Sequence, residues 1–209
     1  MIINKKQFEI TSMSNETKPF VFIIESLEFK NEIDEEFEGV IISKILKLSK
    51  ITHKYFYIRT KSEFEHLLNE FVKSNYRYLH ISCHGNENLI ATTLDRINFK
   101  ELGNLLRDKL NGKRLFLSSC ESTNKNLANE IFPTSGCNSI IGSDKEISID
   151  DAAIFWSSFY KIMFKRNSKA MKREVLESVL PGMKELFKIP IKYYRKDKKS
   201  KKGWTEVTI

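Results

Sequence analysis

Glycine and proline are scarce in this chain, eight and four among 209 residues. So few chain breakers exclude a collagen-like or low-complexity protein and predict long regular elements joined by short loops. Cysteine occurs only three times, at Cys83, Cys120 and Cys137. An odd, small number argues against a disulfide framework and for a reducing compartment, the cytoplasm. No stretch approaches the roughly twenty apolar residues that cross a bilayer, so no membrane association is expected. Residues 1–20 mix charged and apolar side chains without the apolar core of a secretory signal. A Walker loop and a glycine-rich dinucleotide fingerprint are both missing. So is the Cys-x-x-Cys or His-Glu-x-x-His spacing of a zinc site, and no cofactor or metal is expected.

What is present suits one globular domain over residues 1–209. Apolar residues make up 41 % and Phe occurs fifteen times, enough for a core without disulfides or metal. The net charge of +8 is uneven. Between Lys165 and Lys202 there are fourteen Lys or Arg against four Asp or Glu, so the rest of the chain is slightly acidic. Such a basic stretch invites a nucleic-acid reading. Lysine runs are more often solvated faces or turns, and the clustered carboxylates of a metal-dependent nuclease are absent. Nucleic acid is therefore not the expected partner, and binding through the basic C-terminus stands as an alternative.

Hydrophobic periodicity alternates strand and helix throughout. Strands are predicted over Pro19–Ser26, Lys54–Arg59, Tyr76–Ser82, Lys113–Ser119 and Asn138–Gly142. A small hairpin or strand is expected at Leu89–Leu94. Helices are predicted over Ile33–Lys50, from Ser62 as a cap, Phe99–Leu110, Asn126–Phe132, Asp150–Phe164 and Ala170–Val179. Ile189–Arg195 and Trp204–Ile209 read as a final hairpin with Lys196–Gly203 as its turn. Alternation of this kind predicts a mainly parallel sheet with helices on both faces, a three-layer α/β/α sandwich. In such sheets functional groups gather at the carboxyl ends of strands. That rule singles out His84, after Leu79-His80-Ile81-Ser82-Cys83, and Cys120, after Leu115-Phe116-Leu117-Ser118-Ser119.

These residue types suit nucleophilic chemistry. A thiolate is the reactive form of cysteine, and a nearby imidazole raises its population. Gly85 lets the chain turn and leaves an exposed N–H. The N–H groups of Gly85 and Cys120 could face an oxyanion. Cys83, on the opposite strand face from His84, reads as core packing. His80 shares a face with His84 and reads as a satisfied core histidine or a partner behind it.

The strings LHISCHG and LFLSSCES, in that order, resemble the caspase-like peptidases that include separase-type and bacterial CHAT-domain proteases. Ile140-Ile141-Gly142-Ser143, then Asp150-Asp151-Ala152-Ala153, then Phe159-Tyr160 are similar to a third block of that family. The resemblance covers Tyr76 to Phe164. It implies a caspase-type fold, His84 as catalytic histidine, Cys120 as nucleophile and Gly85 as oxyanion donor. It also implies an acidic residue lining the pocket for a basic P1 side chain, at Asp150 with Asp151 in reserve. The family's Trp before that position is replaced here by Ile147 or Ile149. The implied activity is a cysteine endopeptidase with a Cys–His dyad, cutting a protein substrate after Arg, then Lys. Its implied setting is a regulated effector in bacterial stress or anti-phage defence, awaiting an activating partner or small signal molecule. Asp150 as a simple helix cap stays an open reading, as does a catalytically silent binding module on the same fold.

Overall fold

The computed structural model describes residues 16–209. Strand β1 (Lys18–Ser26) leads into a short helix α1 (Phe29–Ile33) and a longer α2 (Glu38–Leu48). Then come β2 (His53–Tyr57), α3 (Lys61–Ser74), β3 (Tyr76–Gly85), and a hairpin of β4 (Leu89–Ala91) and β5 (Arg96–Asn98). Helix α4 (Phe99–Leu105), β6 (Arg114–Ser118), α5 (Lys125–Ser135) and β7 (Ser139–Ser143) follow. The chain closes with α6 (Ile149–Arg166), α7 (Arg173–Phe187), β8 (Ile191–Lys196) and β9 (Trp204–Val207).

The strands lie in the order β2-β1-β3-β6-β7-β8-β9, with the β4–β5 hairpin paired to the end of β3. The five strands from β2 to β7 in that order are parallel. β8 and β9 add antiparallel. Alternate side chains of the central strands enter opposite cores. Leu79, Ile81, Leu115 and Leu117 pack with Phe64 of α3, Leu102 of α4 and Ile131 of α5. Tyr78, Phe116 and Ile141 pack with Ile42 of α2, Phe155 and Trp156 of α6 and Leu180 of α7. Helices thus cover both faces, and the architecture is the expected three-layer α/β/α sandwich. Among the described residues no helix is long and apolar enough to cross a membrane. The lysine-rich segment after β8 forms the turn of the β8–β9 hairpin, closed by Asp197 N–H donating to Gly203 O at 2.9 Å.

Several boundaries differ from the sequence expectation, and one matters for the site. The helix expected over Ile33–Lys50 starts only at Glu38, as α2, and a separate short helix, α1, ends where it was expected to begin. Glu35, with φ +57°, sits in the left-handed region and breaks the run. The break turns Asn31 and Glu38, on either side of it, toward the carboxyl edge of the sheet. Helix α3 is capped by Thr60 rather than Ser62, through a reciprocal capping box with Glu63. Helix α4 stops at Leu105, short of the expected Leu110. Helix α7 starts later than expected and runs through Pro181, because Leu176, Val179, Leu180 and Met183 stay buried on either side of it. Strand β3 runs to Gly85, three residues past the expected end, because β4 pairs with it at His84 and Gly85.

The entry to α2 is pinned by a buried acid at the end of β1. Glu25 Oε1 accepts the Gly39 N–H at 2.6 Å and Oε2 accepts the Tyr55 hydroxyl at 2.7 Å. Burial pushes the Glu25 carboxyl from 4.5 up to about 7, against those two hydrogen bonds and with the help of the Glu38 charge. The folded chain thus holds this proton more tightly than the unfolded chain. The stability linked to it is complete below the unfolded value and fades as pH rises through about 7. Glu25→Gln has no such titration. Between about pH 5 and pH 8 the melting temperature of wild type should therefore fall relative to that of Glu25→Gln. A gap that stays constant across that range contradicts the assignment.

Candidate active site

Strands β3 and β6 pair from Tyr78–Arg114 to Ser82–Ser118. Beyond that point β3 turns its pairing to β4, and the chain after β6 bends away. The gap is a cavity of about 60 Å³, with His84, Cys120, Ser119, Glu38 and Ile147 in its lining. The two residues singled out by strand-end position are thus brought to one cavity from neighbouring strands.

Cys120 stands on a tightly held turn. Glu121, directly after it, has φ +58°, a strained value for a residue with a side chain. Three bonds hold that turn. Glu121 N–H donates to Lys145 O at 3.1 Å, Thr123 N–H to Ser143 O at 2.9 Å, and the Ser122 hydroxyl to Ser119 O at 2.9 Å. The Cys120 thiol itself donates to the carbonyl of Ile147 at 3.5 Å. It makes no hydrogen bond to His84.

His84 is oriented from the other side. Its Nε2 lies 2.7 Å from Asn31 Oδ1. Asn31 Nδ2 donates to Glu36 Oε2 at 2.6 Å, which fixes the amide with its oxygen toward the ring. An amide oxygen only accepts, so Nε2 carries the proton and Nδ1 is left as the basic nitrogen. Asn31, which the sequence reading did not single out, thus orients the His84 ring.

Gly85 is required where it stands. A Cβ there would lie 2.2 Å from Ser119 Oγ and 2.9 Å from Leu89 O. Its amide is also well placed. Asn86 N–H donates to Leu89 O at 3.0 Å, making 86 and 89 a hydrogen-bonded pair. Antiparallel pairs alternate, so Gly85–Ile90 is a pair without such bonds. The Gly85 N–H therefore turns away from β4, toward the side where β6 and Cys120 lie.

The acidic pair at the start of α6 divides. Asp151 lines a second hollow of about 420 Å³ that shares Cys120 and Ile147 with the first and also holds Glu146 and Lys188. Asp150 lines neither. Its carboxyl is held below the usual range, first by a hydrogen bond with Ser148 and then by the Asp151 backbone. The cap of α6 is Ser148, whose hydroxyl accepts the Asp151 N–H at 3.4 Å, so Asp150 does not fill that role.

Behind the cavity lies a buried polar layer. Glu38 is 3 % exposed. Its Oε2 accepts hydroxyls from Ser82 at 2.7 Å and Ser118 at 2.9 Å. Its Oε1 has no hydrogen-bond partner and lies 3.6 Å from His80 Nε2, also without one. His80 Nδ1 meets the Tyr160 hydroxyl at 3.0 Å, so this core histidine is satisfied on one nitrogen only. Among the described residues no group of three or more His, Cys, Asp or Glu could hold a metal. The chain matches no family model, and no curated protein matches it. The chemistry of the cavity therefore carries the functional reading.

Burial pushes the thiols of Cys83 and Cys137 up to about 12, although Cys83 keeps some exposed surface. The packing around each sulfur decides its reactivity, and Cys83 packs against the core as the strand alternation predicts. Limited iodoacetamide treatment at about pH 8 should therefore modify Cys120 first, leaving Cys83 and Cys137 unmodified in the folded chain. Peptide mass mapping reads the result. Early modification of Cys83 would contradict this ranking.

Proposed function

We propose that the chain is a caspase-like cysteine endopeptidase that cleaves a protein substrate after a basic residue. The observation that carries this is the shared cavity of His84 and Cys120, with Asn31 fixing the imidazole. Rotation of the Cys120 thiol from Ile147 O toward His84 lets Nδ1 take its proton. The thiolate attacks the scissile carbonyl, and the amides of Gly85 and Cys120 stabilise the oxyanion. His84 then returns the proton to the leaving amine, and water hydrolyses the thioester. Asn31 holds the Nε2–H throughout and favours the imidazolium formed in passing. The preference for a basic side chain draws support from carboxylates beside the nucleophile, Glu38 in the cavity and Asp151 and Glu146 in the adjoining hollow. The sequence resemblance supports a regulated role in bacterial stress or anti-phage defence as part of the same proposal.

A silent binding module is the second reading. The thiol bonded to Ile147 O rather than His84 favours it. Variants separate the two. Cys120→Ala should abolish cleavage of a basic-residue peptide library, and His84→Ala should lower turnover by roughly a hundredfold or more. Asn31→Ala, which frees the ring without removing the base, should cost less than the roughly hundredfold expected for loss of the base itself. Cys83→Ala should cleave at a near wild-type rate. Cleavage retained by Cys120→Ala, or none by wild type, overturns the peptidase reading.

A further inference from the structure

We propose that the edge of the sheet opposite Cys120 is a binding surface for a nucleic-acid duplex, held through its phosphates. Nothing in this depends on cleavage. The lysine run alone did not make nucleic acid the expected partner, but the fold adds charge to that run from elsewhere in the chain.

The topology sorts charge between the two ends of the strands. At the amino ends, segments 16–17, 49–52, 106–113, 136–138, 167–172 and 197–203 hold ten Lys or Arg against three Asp or Glu. At the carboxyl ends, where Cys120 lies, segments 27–37, 58–60, 86–88, 92–95, 119–124, 144–148 and 188–190 hold ten Asp or Glu against four Lys or Arg. Lys50, Arg107 and Lys109 come from the part of the chain that is acidic overall, yet they reach the basic edge.

Hydrogen bonds fix where the basic segments lie. Arg77 Nη1 donates to Lys169 O at 2.9 Å and Arg114 Nη2 to Met171 O at 3.0 Å. The loop 167–172 therefore lies across the starts of β3 and β6. Asn138 N–H donates to Lys113 O at 2.8 Å, and Asn138 O accepts the Lys196 N–H at 2.9 Å. The turn 197–203 therefore begins beside the starts of β6 and β7. Along the order β3-β6-β7-β8 the two segments stand about 14 Å apart, three strand spacings of about 4.8 Å. A duplex carries one charge per about 1.7 Å of its axis, so several phosphates face that span.

The cations there are available. Lys165, Arg166, Lys169 and Lys172 are exposed, as are Lys198, Lys199, Lys201 and Lys202. None of these eight makes an ion pair among the described residues. Lys165 and Arg166 answer the carbonyls at the end of α6. The turn 197–203 has no helix end to answer, so its four lysines need another reason.

The surroundings choose among polyanions. Lysine meets phosphate as a point charge and reads no base, so binding is independent of sequence. Single-stranded nucleic acid is held by stacking on aromatic rings. The one exposed Phe, Tyr or Trp among the described residues is Phe29, at the acidic edge. A membrane surface is gripped by apolar side chains set among the cations. Neither basic segment carries an exposed large apolar residue. A duplex backbone fits best. The acidic edge repels the same phosphates, so the duplex approaches from one side and leaves the Cys120 cavity open.

Fluorescence anisotropy of the full-length chain with a short labelled DNA duplex, and with the RNA duplex of the same sequence, tests this. Between about 50 and 200 mM KCl, log Kobs should fall against log salt with a slope of about −3 or steeper, as for three or more phosphates contacted. Lys198→Gln/Lys199→Gln/Lys201→Gln/Lys202→Gln, and separately Lys165→Gln/Lys169→Gln/Lys172→Gln, should each flatten that slope by about 1 or more. Lys30→Gln/Lys100→Gln, at the acidic edge, should bind as wild type does. Near-UV circular dichroism checks that each variant is folded. A response from one duplex alone upholds the surface and names its source. No binding at about 50 mM KCl, a slope that neither basic-edge variant changes, or an equal loss in the acidic-edge variant overturns the proposal. So does tighter binding to the single strand, or binding to anionic phospholipid vesicles and to neither duplex.

Discussion

Strands β3 and β6 run side by side up to Ser82 and Ser118 and then separate. Everything proposed for the site depends on that separation. A parallel ladder uses the amides and carbonyls of both strands, so a continued pair would leave no free N–H and no space. Ending it at two serines opens a cavity, and passing β3 on to β4 keeps His84 and Gly85 extended and fixed. Small residues are needed on both sides of the gap. The close approach of Gly85 to Ser119 shows how little room a larger side chain would have.

Behind the parting lies a buried polar layer. Glu25 and Glu38 lie close enough for the Glu38 charge to raise the Glu25 carboxyl further. Both belong to the junction of β1 and α2, one pinning the Gly39 amide and the other standing in the first turn of α2. The helix dipole favours an acid at that position, which lowers the cost of burying Glu38. An orphan oxygen on Glu38 and an orphan nitrogen on His80 are a local departure from the rule that buried polar groups are paired. Such departures concentrate at functional sites.

The sheet and its covering helices were legible because strand and helix periods differ so clearly in runs such as YRYLHIS and AAIFWSSFY. Position at strand ends was enough to find His84, Gly85 and Cys120. Asn31 and Glu38 were hidden for a different reason. Asn31 precedes the helix expected from Ile33, and nothing in the apolar spacing shows that a separate short helix forms there or that the left-handed Glu35 delays α2 to Glu38. His80 looked like core, and it is, but its open nitrogen depends on Glu38 arriving from another element. The choice between Asp150 and Asp151 turned on one residue of helical rotation, about 100° around the axis, which counting along a sequence does not resolve.

The central claim is that Cys120 passes an acyl group from substrate to water with His84 as its base. Rapid quenching of wild type with an N-blocked lysine nitrophenyl ester, followed by intact-mass and peptide analysis, tests it directly. The account predicts one hydroxylamine-labile acyl group per chain, on Cys120, formed within the first turnover and absent from Cys120→Ala. An unmodified chain during turnover, or an adduct on another residue, would contradict it.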